Sequence, residues 1–513
     1  MSELRKEFDL FSSEALILRP VLFDCSVRDL ELRVPQPGND REEAFLLDYI
    51  VRNMFNALSV LGGQSMSIYY DKKCEWLSAL VSAAVDTLKT HPSYSRVIRI
   101  NSNMASALGF GRFYFSLYDL RAHELAETPD IEPYEYLPQK LIKSSEKACK
   151  GLYLGLDVGG SDIKLIRAED GHITMLREYD WDPGSFEDAE MTVAPILELV
   201  NEAAEGRLFD AIGISYPDIC CVDRIVGGET PKTKGLKDAH PGDYARELAK
   251  ISALADRLRE FAADDAPVKI INDGHMSAFT AAAELAFAGC ADLSKGVIAH
   301  SLGTDLGFGM IDSRGAIADM PQEFYDIFID MGDFPSASIC AEDLRSSLND
   351  ASGLPDARRY MGQSAAFRMA ASMGLGVMKE FTEEKDGVMS IKTSPDMRKP
   401  CLEALMRKAE AGSAKEQEVF RQIGRNLGMV SREMQFLLHP NSDKRLVFGR
   451  FVNKPAVFEL IKQGCAETAP FIELAAGDDG MAFTPLMKEL SSLEGYTVAQ
   501  FAQAVGAIYY ALF

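Results

Sequence analysis

The chain has no paired-cysteine pattern. Its nine cysteines are scattered, only Cys220 and Cys221 adjoin, and no CxxC occurs. That excludes a disulfide-stapled scaffold, argues against a structural zinc cluster and fits a reducing compartment. Positive charge is also scarce: 54 Lys and Arg stand against 77 Asp and Glu, a net charge of −23. Such a chain repels nucleic acid and anionic membranes, so an anionic ligand must be met locally by amides, dipoles or a metal. No stretch reaches the roughly 18 uninterrupted apolar residues of a membrane span. The opening MSELRKEFDLF has early acids and no apolar run of the kind a signal peptide carries. These absences lead to the expectation of a cytoplasmic protein with neither a membrane nor a nucleic-acid partner.

What is present is a 513-residue chain, 47% hydrophobic and 26% charged, enough for more than one soluble domain. Residues 1–150 read as a separate α+β extension. They hold 18 Lys and Arg against 21 Asp and Glu, so most of the acid excess lies beyond them. EEAFLLDYIVRNMFNALSVL (42–61) and residues 75–88 have helical spacing. RVIRI and RFYFSLY look like strands, and residues 126–150, with Pro129, Pro133 and Pro138, look like a linker or wrapping segment.

At Gly151 the pattern changes. LYLGLDV, DIKLIRA and HITMLREYDW read as three strands joined by short turns. SFED (Ser185–Asp188) reads as a capping box ahead of a helix. Then come the strand FDAIGISYP, a helix over 243–262 and the strand VKIIND. A three-strand meander followed by helix–strand–helix–strand is the order of a ribonuclease H-like domain. GVIAHSLGTDLGFGMID (296–312) begins strand, glycine turn, strand again, and LVFGRF (446–451) is a late strand ending in glycine. No residue-level repeat accompanies this recurrence, which implies two lobes of similar plan.

Three places could carry chemistry. In LGLDVGGSDIKL, Gly159, Gly160 and Ser161 would let backbone amides approach an anion, and Asp157 at the strand end could hold Mg²⁺ through water. A plain hairpin gives the same signal. In SLGTDLGFG, Gly303, Thr304, Gly307 and Gly309 suit a turn that something approaches closely, because glycine weakens strands. Asn272 and Asp273 precede an alanine-rich helix, where an aspartate could cap the helix, act as a general base, or both.

Taken in order, DVGGSDIKL, GISYPD, IINDGH, SLGTDLGFG and LVFGRF resemble the sugar kinase/actin/heat-shock ATPase superfamily. They most resemble its ROK branch, whose motifs read approximately DIGGT, GIGxPG, ENDAN, GTGIGGG and VLGGG. The resemblance covers about residues 151–513, and VAQFAQAVGAIYYAL is similar to the closing helix of that family. It implies an α/β fold with two ribonuclease H-like, actin-like ATPase lobes and an interlobe cleft: 151–272 with a C-terminal helix at 496–513, then 273–495. It implies an ATP-dependent carbohydrate kinase that phosphorylates a hexose or N-acyl-hexosamine, with ATP, Mg²⁺ and a small-molecule sugar as partners and self-association left open. By motif match, Asp273 is the base and Asn272 positions the sugar. Asp157 lies near Mg²⁺, Gly159, Gly160 and Ser161 near the terminal phosphates, Gly303 and Thr304 on the opposite turn, and Gly449 beside the nucleoside. The alternative is a non-catalytic sugar- or nucleotide-binding scaffold or regulator of the same family.

There are departures. Where the family carries a GEIGH motif and a zinc-binding CxCGxxGCxE segment, this chain reads MPQEFYDIFIDMGDFPSASIC. Only Glu323 matches, as a sugar contact, so no zinc is expected. Asp305 and Arg450 replace glycines, which puts an acid by a phosphate turn and a cation by the nucleoside strand. His275 is read as a helix-entry or surface residue, and Lys232 and Lys234 as solvated. Met276, Met310 and Met320 are read as core. Residues 42–61 hold Arg52 as their one base, which argues against a DNA-reading helix.

Overall fold

A computed structural model describes the chain apart from residues 123–124, 126–136, 229, 304–305, 313–316, 318, 330, 332–355, 386–387, 392–394 and 478–480. Three sheets carry it. The N-terminal sheet runs β2-β1-β3-β4, from β1 (Ser13–Val21), β2 (Leu30–Pro35), β3 (Ser65–Tyr70) and β4 (Tyr114–Asp119). With it come α1 (Ser2–Phe8), α2 (Asp40–Val60), α3 (Glu75–Thr90) and α4 (Pro92–Ala107). RVIRI, read as a strand, lies inside α4. Pro92 sets the first helical turn, and Tyr94, Val97, Ile100, Asn101 and Met104 then fall on one buried face, a helical period that outweighs the β-branched residues. The end of the proline-containing segment forms another helix, α5 (Leu137–Lys147).

The second sheet has the order β11-β8-β5-β6-β7. Strands β5 (Leu152–Val158), β6 (Asp162–Glu169) and β7 (His172–Asp180) form an antiparallel meander. Strand β8 (Ala211–Tyr216) lies parallel to β5, and β11 (Val268–Asn272) parallel to β8. Helix α6 (Ala189–Ala204) falls between β7 and β8, and a small hairpin of β9 (Cys220–Cys221) and β10 (Arg224–Ile225) with helices α7 (Lys234–Ala239), α8 (Tyr244–Ser252) and α9 (Leu254–Leu258) between β8 and β11. The expected helix over 243–262 is therefore broken after Ser252 and Leu258. The capping box is corrected as well: Asp188 itself caps α6, accepting the Glu190 N–H at 2.7 Å, while Ser185 bonds back to the Asp182 carbonyl at 2.8 Å.

The third sheet, β13-β12-β16-β17, uses β12 (Val297–Leu302), β13 (Leu306–Ile311), β16 (Lys444–Phe448) and β17 (Glu473–Ala476). Strands β14 (Thr382–Lys385) and β15 (Val388–Ile391) form a separate hairpin. The helices are α10 (Asp273–Phe287), α11 (Gly362–Ser372), α12 (Pro395–Glu410), α13 (Ala414–Leu438), α14 (Pro455–Thr468), α15 (Pro485–Ser492) and α16 (Val498–Leu512). This sheet repeats the plan of the second, but among the described residues the third meander strand is missing. Residues 320–329 instead run along α2. Gln322 and Glu323 donate their N–H groups to the Val60 and Ser59 carbonyls at 3.1 and 2.9 Å. The Asn56 amide takes both backbone groups of Phe328 at 2.8 Å each.

Strand alternation sorts the second sheet's two faces. Leu152, Leu154, Leu156 and Val158 pack with α6, α8 and α9. Tyr153 and Gly155 face α16, and so by period does Asp157. Contact with α16 is flush: a Cβ at Gly155 would overlap the Ala504 carbonyl, and one at Gly213 the Ala507 carbonyl. Gly506 similarly abuts Thr280 of α10, so α16 and α10 lock together. Helix α5 packs on both.

Residues of the N-terminal sheet share one continuous hydrophobic cluster with the third sheet and its helices. Arg5 pairs with buried Glu433 at 2.6 Å and lies over Phe436. A smaller cluster joins Phe23, Ile100, Met104 and Ala105 to Ile219, Cys221 and Val226 beside the second sheet. Helix α4 thus touches both halves of the molecule. No helix among the described residues is long and apolar enough to cross a membrane.

Candidate active site

Asp157 sits near the carboxyl end of β5, paired across the ladder with Lys164 and Ser215. Burial, reinforced by the Asp273 charge and opposed by Lys164 and the Ser215 hydroxyl, pushes its carboxyl up to about 6. The turn that follows is tightly bound on one side. Gly159 N–H donates to the Asp162 carbonyl at 2.7 Å, while Trp181 donates through Nε1 to Gly159 O and through its backbone N–H to Ser161 O, both at 3.1 Å. The Gly160 and Ser161 amides have no partner among the described residues, and both residues are exposed. The tip therefore offers bare donors.

Asp273 opens α10 at the end of β11, on the same edge of the sheet as Asp157. The residue that caps the helix is Asn272: its Oδ1 accepts from Gly274 at 2.9 Å and His275 at 3.4 Å, and its Nδ2 donates to the Asp218 carbonyl at 3.1 Å. Asp273 Oδ1 takes a 2.8 Å bond from Gly274 N–H. Burial raises its pKa against the opposing Lys232 charge and that N–H. So Asn272 carries the cap, and the Asp273 carboxyl is left half-buried at the helix entrance.

Lys232 is not the solvated lysine that the sequence suggested. It is half-buried, its Cε lies 3.4 Å from where a Gly160 Cβ would be, and its charge acts on both Asp273 and Asp218. Lys234 is exposed and pairs with Asp238. Sequence position gave no sign of this difference.

The two acids are tied through the C-terminal helix. Ser215, opposite Asp157, donates to Gln503 Oε1 at 2.7 Å. Gln503 Nε2 donates to Ser277 Oγ at 2.9 Å, and Ser277 donates to the Asp273 carbonyl at 3.0 Å.

Glu323 lies on the segment along α2, 5% exposed. Burial and the adjacent Asp326 charge raise its pKa, against Arg96. Asp218, also buried, accepts from Ile219 N–H at 2.7 Å and Gly228 N–H at 2.9 Å, and its charge reaches both Glu323 and Arg96. Gln322 adopts φ +52°, a left-handed conformation that costs energy outside glycine. His275 is buried rather than superficial, and desolvation lowers its pKa to about 4, with the Gln322 side chain beside it. Arg96 and Gln322 are site neighbours that the motifs did not reveal; the only local hint for Gln322 was its place next to Glu323.

The second turn is built differently. Gly309 and Gly274 lie back to back, where a Cβ on either would overlap the other strand or helix: Gly309 against the Gly274 carbonyl, Gly274 against that of Phe308. Gly303 accepts from Gln363 N–H at 3.0 Å. Gly449, at φ +103°, sits against the Leu302 carbonyl, brought there by the parallel pairing of β12 and β16. Arg450 is exposed. Thr304 and Asp305 lie outside the described residues, as does the 332–340 part of the segment compared with the zinc motif. Met276, Met310 and Met320 are buried. Thus Asp157, Gly159, Gly160, Ser161, Asn272 and Asp273 gather at one sheet edge with Lys232, Glu323 joins through Asp218, and Gly303 and Gly449 adjoin each other.

No protein-family description matches the chain, and no curated protein does. Solved structures similar to it include a ROK family glucokinase from Streptomyces griseus in complex with glucose and AMPPNP. It is 19% identical, covers 70% of this chain and 98% of its own, and has a TM-score of 0.43. A ROK hexokinase from Thermus thermophilus is 15% identical, with coverages of 66% and 97% and a TM-score of 0.40. A ROK family transcriptional regulator, a homolog of the E. coli MLC protein, is 16% identical, with coverages of 70% and 80% and a TM-score of 0.44. Likenesses this distant carry no argument about function.

Proposed function

We propose that the chain is an ATP- and Mg²⁺-dependent kinase that moves the γ-phosphoryl of ATP to a hydroxyl of a hexose or N-acyl-hexosamine. The observation that carries this reading is that Asp157 and Asp273 lie at one sheet edge, the Asp273 charge reaching Asp157, with Lys232 and the bare amides of Gly160 and Ser161 close by. The five motifs in their order support it independently. In this reading residues 151–272 with 496–513, and residues 273–495, are two ribonuclease H-like lobes around a cleft, with 1–150 as an extension.

Phosphoryl transfer asks for positioning and charge neutralisation rather than covalent chemistry. Asp273, with its raised proton affinity, takes the proton of the attacking hydroxyl. The Gly160 and Ser161 amides and Lys232 hold the terminal phosphates. Gly303 and Thr304 line the opposite turn, and Gly449 leaves room for the nucleoside. Asp157 would hold a magnesium ion through water; among the described residues no group of three or more His, Cys, Asp or Glu could hold a metal ion. When bound, that ion offsets phosphate charge. Asn272 and Glu323 hold the sugar.

ATP consumption over a panel of hexoses and N-acyl-hexosamines tests the reading. At least one sugar should drive turnover. Asp273→Asn should lower that turnover about 10²–10⁴-fold while ATP affinity stays the same. Undiminished turnover in the variant would remove Asp273 from its role, and sugar-independent hydrolysis alone would replace the kinase with an ATPase.

A further inference from the structure

Arg96 belongs to α4, outside the stretch that the motifs cover. Its Nη1 donates to Asp326 Oδ2 at 2.8 Å. Its Nε and Nη2 are buried and have no partner among the described residues. Those two atoms form the edge of a guanidinium that grips two acceptors side by side. The chain uses that edge elsewhere: Arg19 binds Asp29 through Nε at 2.5 Å and Nη2 at 2.6 Å. Here it is withheld from Asp326, and desolvating it without a partner is costly.

The surroundings indicate what the edge is for. Arg96 is within electrostatic reach of Glu323 and Asp218. Glu323 Oε2 is likewise buried without a partner among the described residues. Asp218 holds Asn272 through its carbonyl at 3.1 Å, and Asn272 is the residue before Asp273. A donor edge and a carboxyl oxygen, both unfilled among the described residues, therefore lie within electrostatic reach of Asp218, whose carbonyl holds the residue before the proposed base. Hydroxyl groups both donate and accept, so a polyhydroxyl ligand satisfies both. An anionic group would meet Asp218, Glu323 and Asp326 around a single arginine, and gains less.

Resting on the kinase reading, we propose that Arg96 is a sugar-specificity residue, supplied by the N-terminal region, whose Nε–Nη2 edge takes two neighbouring hydroxyls of a neutral sugar. Asp326 holds the guanidinium from the other end and leaves that edge free. The region before residue 150 is thereby part of the substrate site.

The test compares wild type, Arg96→Gln, Arg96→Lys and Asp326→Asn. The probes are D-glucose, D-mannose, N-acetyl-D-glucosamine, N-acetyl-D-mannosamine and D-glucuronate, with ATP titrated separately. For the accepted neutral sugar, Arg96→Gln should raise KM by about 10- to 100-fold, as for one lost charged hydrogen-bonding partner, with the KM for ATP unchanged and kcat at saturating sugar largely kept. Arg96→Lys keeps a charge for Asp326 but no fork, so it should show the same sugar defect without loss of melting temperature; this arm stands if Arg96→Gln does not fold. Asp326→Asn should lower the melting temperature and, by loosening the guanidinium it holds, raise sugar KM less than the Arg96 variants do. Glucuronate should be the poorest probe. A sugar KM unmoved in both Arg96 variants, or equal shifts in sugar and ATP KM, would reduce Arg96 to a structural ion pair while leaving the kinase standing. Wild-type protein that neither binds nor phosphorylates any of these sugars would sink both readings.

Discussion

At the β5–β6 turn, a Cβ on Gly160 would find only the Lys232 side chain, 3.4 Å away. At the β12–β13 hairpin, one on Gly309 would strike the backbone of α10. Both stretches are glycine-rich strand–turn–strand units. In the first, glycine leaves amides open to whatever approaches from outside. In the second, Gly309 on the strand and Gly274 on the helix let α10 lie directly on the sheet, and that helix begins with Asp273. The second set of glycines thus serves the site from beneath, by fixing where the proposed base starts.

Side-chain additions can break this comparison. Gly309→Ala should cost about 1–3 kcal/mol, because neither backbone at the crossing can yield as a flexible side chain would. Urea unfolding would measure it, and wild-type stability would mean that α10 and β13 are not in contact there. A gentler effect separates the first turn by its charge. Asp157 titrates at about 6 in the fold against an ordinary 3.8. Its protonated form is therefore favoured by folding, so the stability linked to it is complete below about 3.8 and drains away as pH climbs through about 6. Asp157→Asn should lack that decline, and parallel urea-midpoint profiles from pH 3 to 8 for the two proteins would contradict the burial. Smallest should be Gly160→Ala, within about 0.5 kcal/mol of wild type in stability as at an open surface position, yet with a raised KM for ATP. Unchanged ATP kinetics would make the turn a mere hairpin.

Much of this was legible beforehand. The β5–β7 meander, β8, β11 and the pairing of β12 with β13 follow from apolar runs and glycine breaks, which are local signals. RVIRI was misread because β-branched content is weaker than a proline helix start and a helical burial face. The cap at α10 fell on Asn272 rather than Asp273, a one-residue distinction that only geometry resolves. Lys232 and Lys234 sit two apart in the same short segment, yet one faces buried carboxylates and the other solvent; charge fields depend on distant chain. Arg96 was invisible for the same reason, since Asp326 lies 230 residues away. The N-terminal region reads as separate in composition, but its buried face is completed by helices from the far end of the third sheet's portion.

Helix α16 leaves the ribosome after every other element described here. Until it arrives, one face of the second sheet stays uncovered at Gly155 and Gly213, and the Ser215–Gln503–Ser277 link between the two acidic positions does not exist. Translation therefore finishes this site last. A nascent chain stalled before Val498 would carry both carboxylates on an open sheet, with apolar surface that the finished fold buries still exposed to aggregation.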